Sequence, residues 1–484
     1  MAETRSTDRN RRVRPANAEA DPVVGLVEKA RRAIRAFTNE ISTQGQARID
    51  EAVTALAWSI YKPANARQLA QIAVDVTGIG EVESKVVKNQ RKTFGTLRDL
   101  LRVKSTGIIE EIPDKGIVKY AKPVGVVGAV TPSTNPSATP VNKAMMALKG
   151  GNAIIIAPPP TAWAATEPAV EGMRRELARI GLPADLVQIL PSPVTRDMTT
   201  RLMEIVDLVV VTGSQVNVRQ AYKSGTPAIG VGLGNAPVII DTTADLPDAA
   251  RKIMLSKTFD HATSCSSENA VVLLDEIYER AIDALKAEGG YLAAPQERQR
   301  IVERLWQDGK LNRAVIAQGP DALIDVFELG AKAKGCKFVM VEEVGTGKDY
   351  PLSGEKLSLV LTVYRATDFA DAKRIVRDIL DHQGKGHSCG IHTTNLAHAR
   401  ELAEEIDVAR VLVNQAHTFG NGGGFDNGLP FTLSMGCGTW QGNSISENLN
   451  WRCFVNITHL VTTIPEDKPS EEALFGAYWA KYGK

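Results

Sequence analysis

Between residues 124 and 275 the chain alternates short runs of Val, Ile and Leu with longer segments of helical periodicity, and few folds accept such a pattern. VGVVGAVTP, NAIIIAPPP, LVQILP, DLVVVTG and AVVLLD are each followed by turn residues, while intervening segments such as TEPAVEGMRRELARIG repeat their apolar positions at helical spacing. A continuously apolar strand must be covered on both faces, and strands joined by helices run parallel. The pattern predicts an α/β chain with a doubly wound parallel sheet, which binds ligands beyond the carboxyl ends of its strands.

The flanks read differently. VVGLVEKARRAIRAF, the stretch from Gln46 to about Val76, and ESKVVKNQRKTFGTLRDLLRV after the TGIG turn at Thr77–Gly80 are helical, so about the first hundred residues are helix-rich. GIIEEIPDKGIVKYAKP, two β-rich runs around Pro113–Gly116, predicts a hairpin. Beyond Cys265, FVMVEE, LSLVLTVY and RVLVNQ form a second α/β unit; FVNITHLVTTIP is a further strand, and EEALFGAYWAKYG a short amphipathic segment.

Charge and cysteine usage exclude whole classes of function. The 484 residues carry 57 Lys and Arg against 56 Asp and Glu, which leaves no net field to attract nucleic acid or an anionic membrane. The first 22 residues are polar and lack the apolar stretch of a secretory signal, and no run of about 20 apolar residues spans a bilayer. Five scattered cysteines without a CxxC pair fit neither a disulfide framework nor a zinc site, so no metal is expected and the compartment is a reducing cytoplasm.

Several segments can carry chemistry. Cys265 lies in DHATSCSSENAVVLLD, a hydroxyl-rich turn before an apolar strand; by position alone it is either a nucleophile or a structural thiol. The Gly-rich Gly230–Asn235 run leads into another strand, APVIID, and a phosphate-binding fingerprint must open a helix, so it is rejected as a phosphate cradle. Gly213-Ser214 does stand between a strand and a helix, where an N-terminus can receive a phosphate. The glycines around Gly422 read as a mobile surface loop.

Together these pieces resemble the aldehyde dehydrogenase superfamily, and within it the coenzyme-A-acylating branch. The resemblance runs from about Val23 to Thr463. It is carried in order by TGIG with Lys88-Asn89, TPSTNPSATPVNKAMMALKGGNAIIIAPPP, VTGSQVNVRQAYKSGTPAIGVGLGNAPVIID, the Cys265 turn, KLSLVLTVY, GHSCG and LSMGCGTWQGNSISENL. It implies a Rossmann-type parallel-sheet cofactor domain, an α/β catalytic domain and a β oligomerisation element. On that basis residues 1–22 form a disordered tail, 23–106 with 124–241 the NAD(P)-binding domain, 242–430 the catalytic domain, and 107–123 with 431–484 the oligomerisation hairpin and C-terminal segment. Pairing of the hairpin and the strand near Phe454–Val461 across subunits is expected to make a homodimer or homotetramer.

The resemblance also implies a mechanism. An aldehyde carbon has no electron pair to expel a hydride, whereas a thiolate adduct has an oxyanion that does. Cys265 becomes the nucleophile, the Asn135 side chain and the Cys265 N–H the oxyanion donors, and hydride passes to NADP or NAD, leaving a thioester. Read without the resemblance, Asn135 before Pro136 is simple turn chemistry. Cofactor contacts are expected from Thr131, Pro132, Ala157, Pro158, Gly213, Ser214, Gly232 and Glu355, although Glu355 also reads as an exposed loop residue. Pro158-Pro159-Pro160 carries no acid to repel a 2′-phosphate and no base to demand one.

Hydrolytic relatives place a Glu where this chain has Val231, and valine cannot activate water. The thioester is therefore expected to pass to coenzyme A as cosubstrate, unless Glu268 substitutes as a base. His387, in GKGHSCG, resembles a histidine of the acylating branch, for coenzyme A handling or proton transfer; packing alone is the alternative. Arg91 and Lys92 either face the substrate or form a solvated helix face. EEALFGAYWAKYGK is similar to acylating sulfoacetaldehyde dehydrogenases, and a sulfonate would need cationic donors. Sulfoacetaldehyde is thus expected ahead of acetaldehyde or propanal. The rivals are a hydrolytic dehydrogenase, a redox-independent acyltransferase and a non-catalytic scaffold.

Overall fold

The computed structural model of the chain describes residues 21–484, so most of the expected N-terminal tail lies outside the described residues. Asp21 and Pro22 do not belong to such a tail. The Asp21 carboxylate accepts from the N–H groups of Val23 and Val24 at 2.9 and 3.4 Å, and Pro22 opens the helix Pro22–Gln44. Helices Gln46–Tyr61, Pro63–Thr77 and Val82–Leu101 follow, giving the helix-rich N-terminal region that periodicity predicts.

The alternating segment folds into a five-stranded parallel sheet. Its spatial order is Val187–Ile189, Ala153–Ala157, Val126–Val130, Leu208–Val211, Ala228–Gly230. The first strand in sequence is thus central, and the order reverses beside it. Helices Ala138–Lys149, Trp163–Arg179, Arg196–Ile205 and Gln215–Lys223 connect the strands. The three central strands are almost wholly buried, as their uninterrupted Val and Ile runs require.

A second parallel sheet has seven strands, in the order Gly290–Leu292, Phe338–Glu342, Val360–Ala366, Glu268–Leu274, Ala236–Ile240, Cys389–His392, Val411–Val413. Ala236–Ile240, grouped by sequence with the cofactor domain through residue 241, hydrogen-bonds here to Glu268–Leu274 and Cys389–His392. The crossing between sheets therefore falls in residues 231–235. Local pattern cannot detect this, because a fully apolar strand suits either sheet.

The predicted hairpin forms from Gly107–Ile112 and Ile117–Pro123, and Val455–Val461 pairs antiparallel to the latter within the same chain. The outer residues Ile457, Leu460 and Val461 are exposed, and no residue of the C-terminal helix Glu471–Tyr482 is buried. Among the described residues no helix is long and apolar enough to cross a membrane.

Candidate active site

Cys265 sits in a turn between the helix Leu246–Thr258 and the strand Glu268–Leu274. The chain enters that turn under strain: Asp260, His261 and Ala262 all have left-handed φ, at 51°, 49° and 60°. Such conformations cost about 1–2 kcal/mol per residue without glycine, so something must hold them. The loop joining the two sheets lies over the turn, with Gly234 against Cys265 and Gly232 against Cys437 and Gln441. Gln441 pins this loop, its amide accepting from the Leu233 N–H at 2.8 Å and donating to the Leu233 carbonyl at 2.9 Å.

The Cys265 thiol is only partly exposed. Burial pushes its pKa up to about 12, the Glu355 carboxylate and Cys437 add to the rise, and Ser266 and Arg410 oppose it. Glu355 is therefore the carboxylate whose charge reaches the thiol. Burial raises that carboxyl to about 8, against the pull of Lys356 and Lys257. Glu268, the alternative base, is fully buried: Oε1 accepts from the His417 N–H at 3.1 Å, and Oε2 has no partner.

Opposite the cysteine turn, Asn135 lies in the loop after the central strand Val126–Val130. Its Oδ1 accepts from Lys88 Nζ at 2.8 Å, while its Nδ2 has only a 3.4 Å contact with Thr134 Oγ1. The Cys265 N–H donates to no group among the described residues. Lys88 also reaches Asp260 Oδ2 at 2.5 Å and Thr263 Oγ1 at 2.9 Å. Lys85, one turn earlier on the same helix, reaches Asp260 Oδ2 at 3.1 Å and the Thr134 carbonyl at 3.2 Å. Asp260 is completely buried; burial alone would raise its pKa, but Lys88 and Lys85 hold the carboxyl below its ordinary range.

A cavity between these parts is lined by Lys88, Arg91, Lys92, Asn135 and the two serines flanking Cys265. Arg91 and Lys92 are therefore not a solvated helix face. The Arg91 guanidinium stands 5.3–5.5 Å from the ring centres of Phe419, Phe425 and Phe431, with a single 3.3 Å hydrogen bond to the Phe419 carbonyl. Lys92 donates to the Gly422 carbonyl at 2.7 Å; burial, then Arg91 and Lys88, lower it to about 7, and Cys265 opposes the shift. The glycine segment read as a mobile surface loop is packed instead. Residues 420–424 are buried, and a Cβ on Gly422 would stand 2.6 Å from Lys92 Nζ, so the glycines are there for close approach.

A second cavity opens at the carboxyl ends of the five-stranded sheet, beside the point where strand order reverses. Thr131, Ala157 and Pro158 line it, with Thr195 and Arg196 on the facing wall. Thr131 is 3 % exposed and its Oγ1 has no partner, as expected of a group placed for a ligand. Pro132 continues the same strand end, and space over Gly213 is open, with Ser214 capping the helix Gln215–Lys223. These residues fit a dinucleotide. Gly232 and Glu355 lie on the Cys265 side, away from this cavity's walls.

His387 is buried. Its Nδ1 is 2.8 Å from Ser388 Oγ and its Nε2 has no partner. Burial, then Arg410 and His417, push its pKa well down, so the imidazole is neutral. Arg410 donates to the carbonyls of His387 and Gly436, both at 2.8 Å, without a carboxylate partner among the described residues.

Sequence reasoning missed Lys85, Asp260, Arg196, Arg410 and Gln441. Only Asp260 left a local trace: Gly80 of the TGIG turn has φ 78°, and a Cβ there would stand 2.1 Å from the Asp260 carboxylate.

The aldehyde dehydrogenase family model matches residues 6–299. The chain is 50% identical over 473 residues to a sulfoacetaldehyde dehydrogenase (acylating) of Cupriavidus necator, covering 98% of this chain and 95% of that one. It is 42% identical to another protein of that name from Bilophila wadsworthia, over 95% and 98% of the two chains. The crystal structure of an acetylating aldehyde dehydrogenase from Geobacillus thermoglucosidasius superposes with a TM-score of 0.88 at 32% identity, over 93% and 98%.

Proposed function

The chain belongs to the aldehyde dehydrogenase family, and from that premise we propose that it oxidises sulfoacetaldehyde to sulfoacetyl-coenzyme A. The observation that carries the acylating half is the loop over Cys265: Val231-Gly232-Leu233-Gly234 holds no ionisable group, and Gln441 fixes it there. Glu268 is tied to the His417 N–H and has no exposure to water, which argues against it as a replacement base.

In this reading the sulfonate meets Arg91, whose guanidinium has unused donors, with Lys92 behind it. Cys265 adds to the aldehyde carbon, and the resulting oxyanion is met by the Asn135 amide and the Cys265 N–H. A bound nicotinamide supplies the hydride acceptor. The chain then holds a thioester on Cys265 under a loop whose Val231 cannot activate water. Coenzyme A resolves it by thiol exchange; the unpartnered Nε2 of the neutral His387 is proposed to accept a hydrogen bond from the incoming cosubstrate.

Thr131, Pro132, Ala157, Pro158, Gly213 and Ser214 are proposed to cradle the cofactor, with Gly232 and Glu355 toward its nicotinamide end. Two features favour NADP: the cavity wall contains no carboxylate, and Arg196 is its one cation. We further place the enzyme in the cytoplasm as a homo-oligomer formed through the exposed strand and C-terminal helix.

The test is product analysis with purified protein, sulfoacetaldehyde and either nicotinamide cofactor. Sulfoacetyl-coenzyme A should form only with coenzyme A present. Free sulfoacetate at an undiminished rate without coenzyme A would overturn the acylating reading, and faster turnover of acetaldehyde would overturn the substrate.

A further inference from the structure

We infer that Lys88, held by Asp260, is the positioning residue that aims the Asn135 amide at the reacting carbonyl and locks it in register with the Cys265 turn. The inference rests on the family's aldehyde chemistry, not on which aldehyde is used.

A lysine ammonium has three hydrogens and accepts nothing. Lys88 has three oxygen partners within 2.9 Å: Asp260 Oδ2, Asn135 Oδ1 and Thr263 Oγ1. None of its hydrogens remains for a substrate, although the residue lines the substrate cavity. Arg91 beside it, with one hydrogen bond, is the opposite case.

The identity of these partners fixes an orientation. Because Lys88 can only donate, the Asn135 atom facing it must be the amide oxygen, and the NH₂ group must take the other edge. Without Lys88 the amide could turn over and present an oxygen to the developing oxyanion, which would repel it.

Asp260 supplies the other half. Its carboxylate takes Lys88 and Lys85, the Glu81 N–H at 2.9 Å and the Thr263 hydroxyl at 2.7 Å. Those bonds hold three consecutive left-handed residues just before Cys265. Lys85 also grips the Thr134 carbonyl, so one face of the helix Val82–Leu101 clamps both the Asn135 loop and the cysteine turn. The two oxyanion donors come from different sheets' loops, and this clamp is the bonded bridge between them.

A double-mutant cycle in the full-length enzyme tests this, read as the single-turnover rate of cofactor reduction with whichever of acetaldehyde or sulfoacetaldehyde the wild type oxidises faster. Asn135→Ala should slow that step about 10²–10³-fold, the usual cost of one oxyanion donor. Lys88→Met should slow it at least about tenfold. In Lys88→Met the Asp260 carboxylate keeps Lys85, the Glu81 N–H and Thr263, so the Cys265 turn stays held, Lys88 acts through Asn135, and the double variant should be no slower than Asn135→Ala alone. Alkylation of Cys265 by iodoacetamide, which needs no oxyanion donor, should change less than about threefold in Lys88→Met. If the two losses multiply, or if alkylation falls in proportion with hydride transfer, the inference is wrong. Should Lys88→Met be insoluble, the same cycle is run with Lys88→Arg. That variant keeps the charge Asp260 requires but changes the donor geometry, and it is held to the same non-additivity.

Discussion

Gly234 and Cys265 touch so closely that a β-carbon at position 234 would stand 2.6 Å from the Cys265 Cβ and 2.1 Å from its carbonyl oxygen. Both obstacles are backbone or nearly so and cannot swing aside. Gly234→Ala is expected to lower stability by about 1–3 kcal/mol through overpacking and to displace the Cys265 thiol. Thermal melting and the rate of Cys265 alkylation would measure the two effects; a variant with wild-type values for both would contradict this contact.

The same loop leaves position 231 without a base. Val231→Glu restores a carboxylate where hydrolytic relatives carry theirs, and should divert part of the thioester to free acid without coenzyme A. The gain should vanish in a Cys265→Ser background. Acid release no greater than in the wild type would show that the missing carboxylate is not what protects the thioester.

Arg91 has donors to spare, and a hydrogen bond to a charged group is worth about 1.5–3 kcal/mol. Arg91→Met should raise KM for sulfoacetaldehyde by about ten- to a hundredfold while changing that for acetaldehyde little. Equal losses with both aldehydes would assign Arg91 to packing among Phe419, Phe425 and Phe431 instead.

Burial, helped by Glu355 and Cys437, raises the Cys265 thiol to about 12. A raised pKa keeps the proton on, so below it the thiolate fraction climbs about tenfold per pH unit. Alkylation of the free enzyme, corrected with Cys265→Ala, should therefore accelerate steadily from about pH 7 to about pH 9. A plateau within that window would mean that the thiol ionises there.

Arg196 is the one cation on the wall of the cavity at the carboxyl ends of the five-stranded sheet, where we propose the cofactor binds. Arg196→Gln should weaken NADP binding by about tenfold or more and leave NAD nearly unaffected, as read by fluorescence titration. Loss of both cofactors alike would point to damage to the cavity rather than to a lost phosphate contact.

Much of this was present in the chain before it folded. Strand runs such as Ala153–Ala157 and Leu208–Val211 announce themselves because burial on both faces demands unbroken apolar residues, a local requirement. Cys265, Asn135, Glu355 and His387 are nominated by motifs in their order along the chain, and Val231 by what valine cannot do. The segment around Gly422 is ambiguous because glycine permits mobility and close packing equally, and only Lys92 and Phe431 against it decide which.

The sequence by itself determined the α/β architecture of alternating strands and helices and the valine at position 231. Tertiary structure alone decided how those parts are aimed. Asp260 meets Lys88 across 172 residues, Gln441 grips Leu233 across 208, and the strand Ala236–Ile240 takes its place in the second sheet. The reason is physical: apolar periodicity is set by neighbours along the chain, whereas a hydrogen bond between distant residues depends on how whole elements pack.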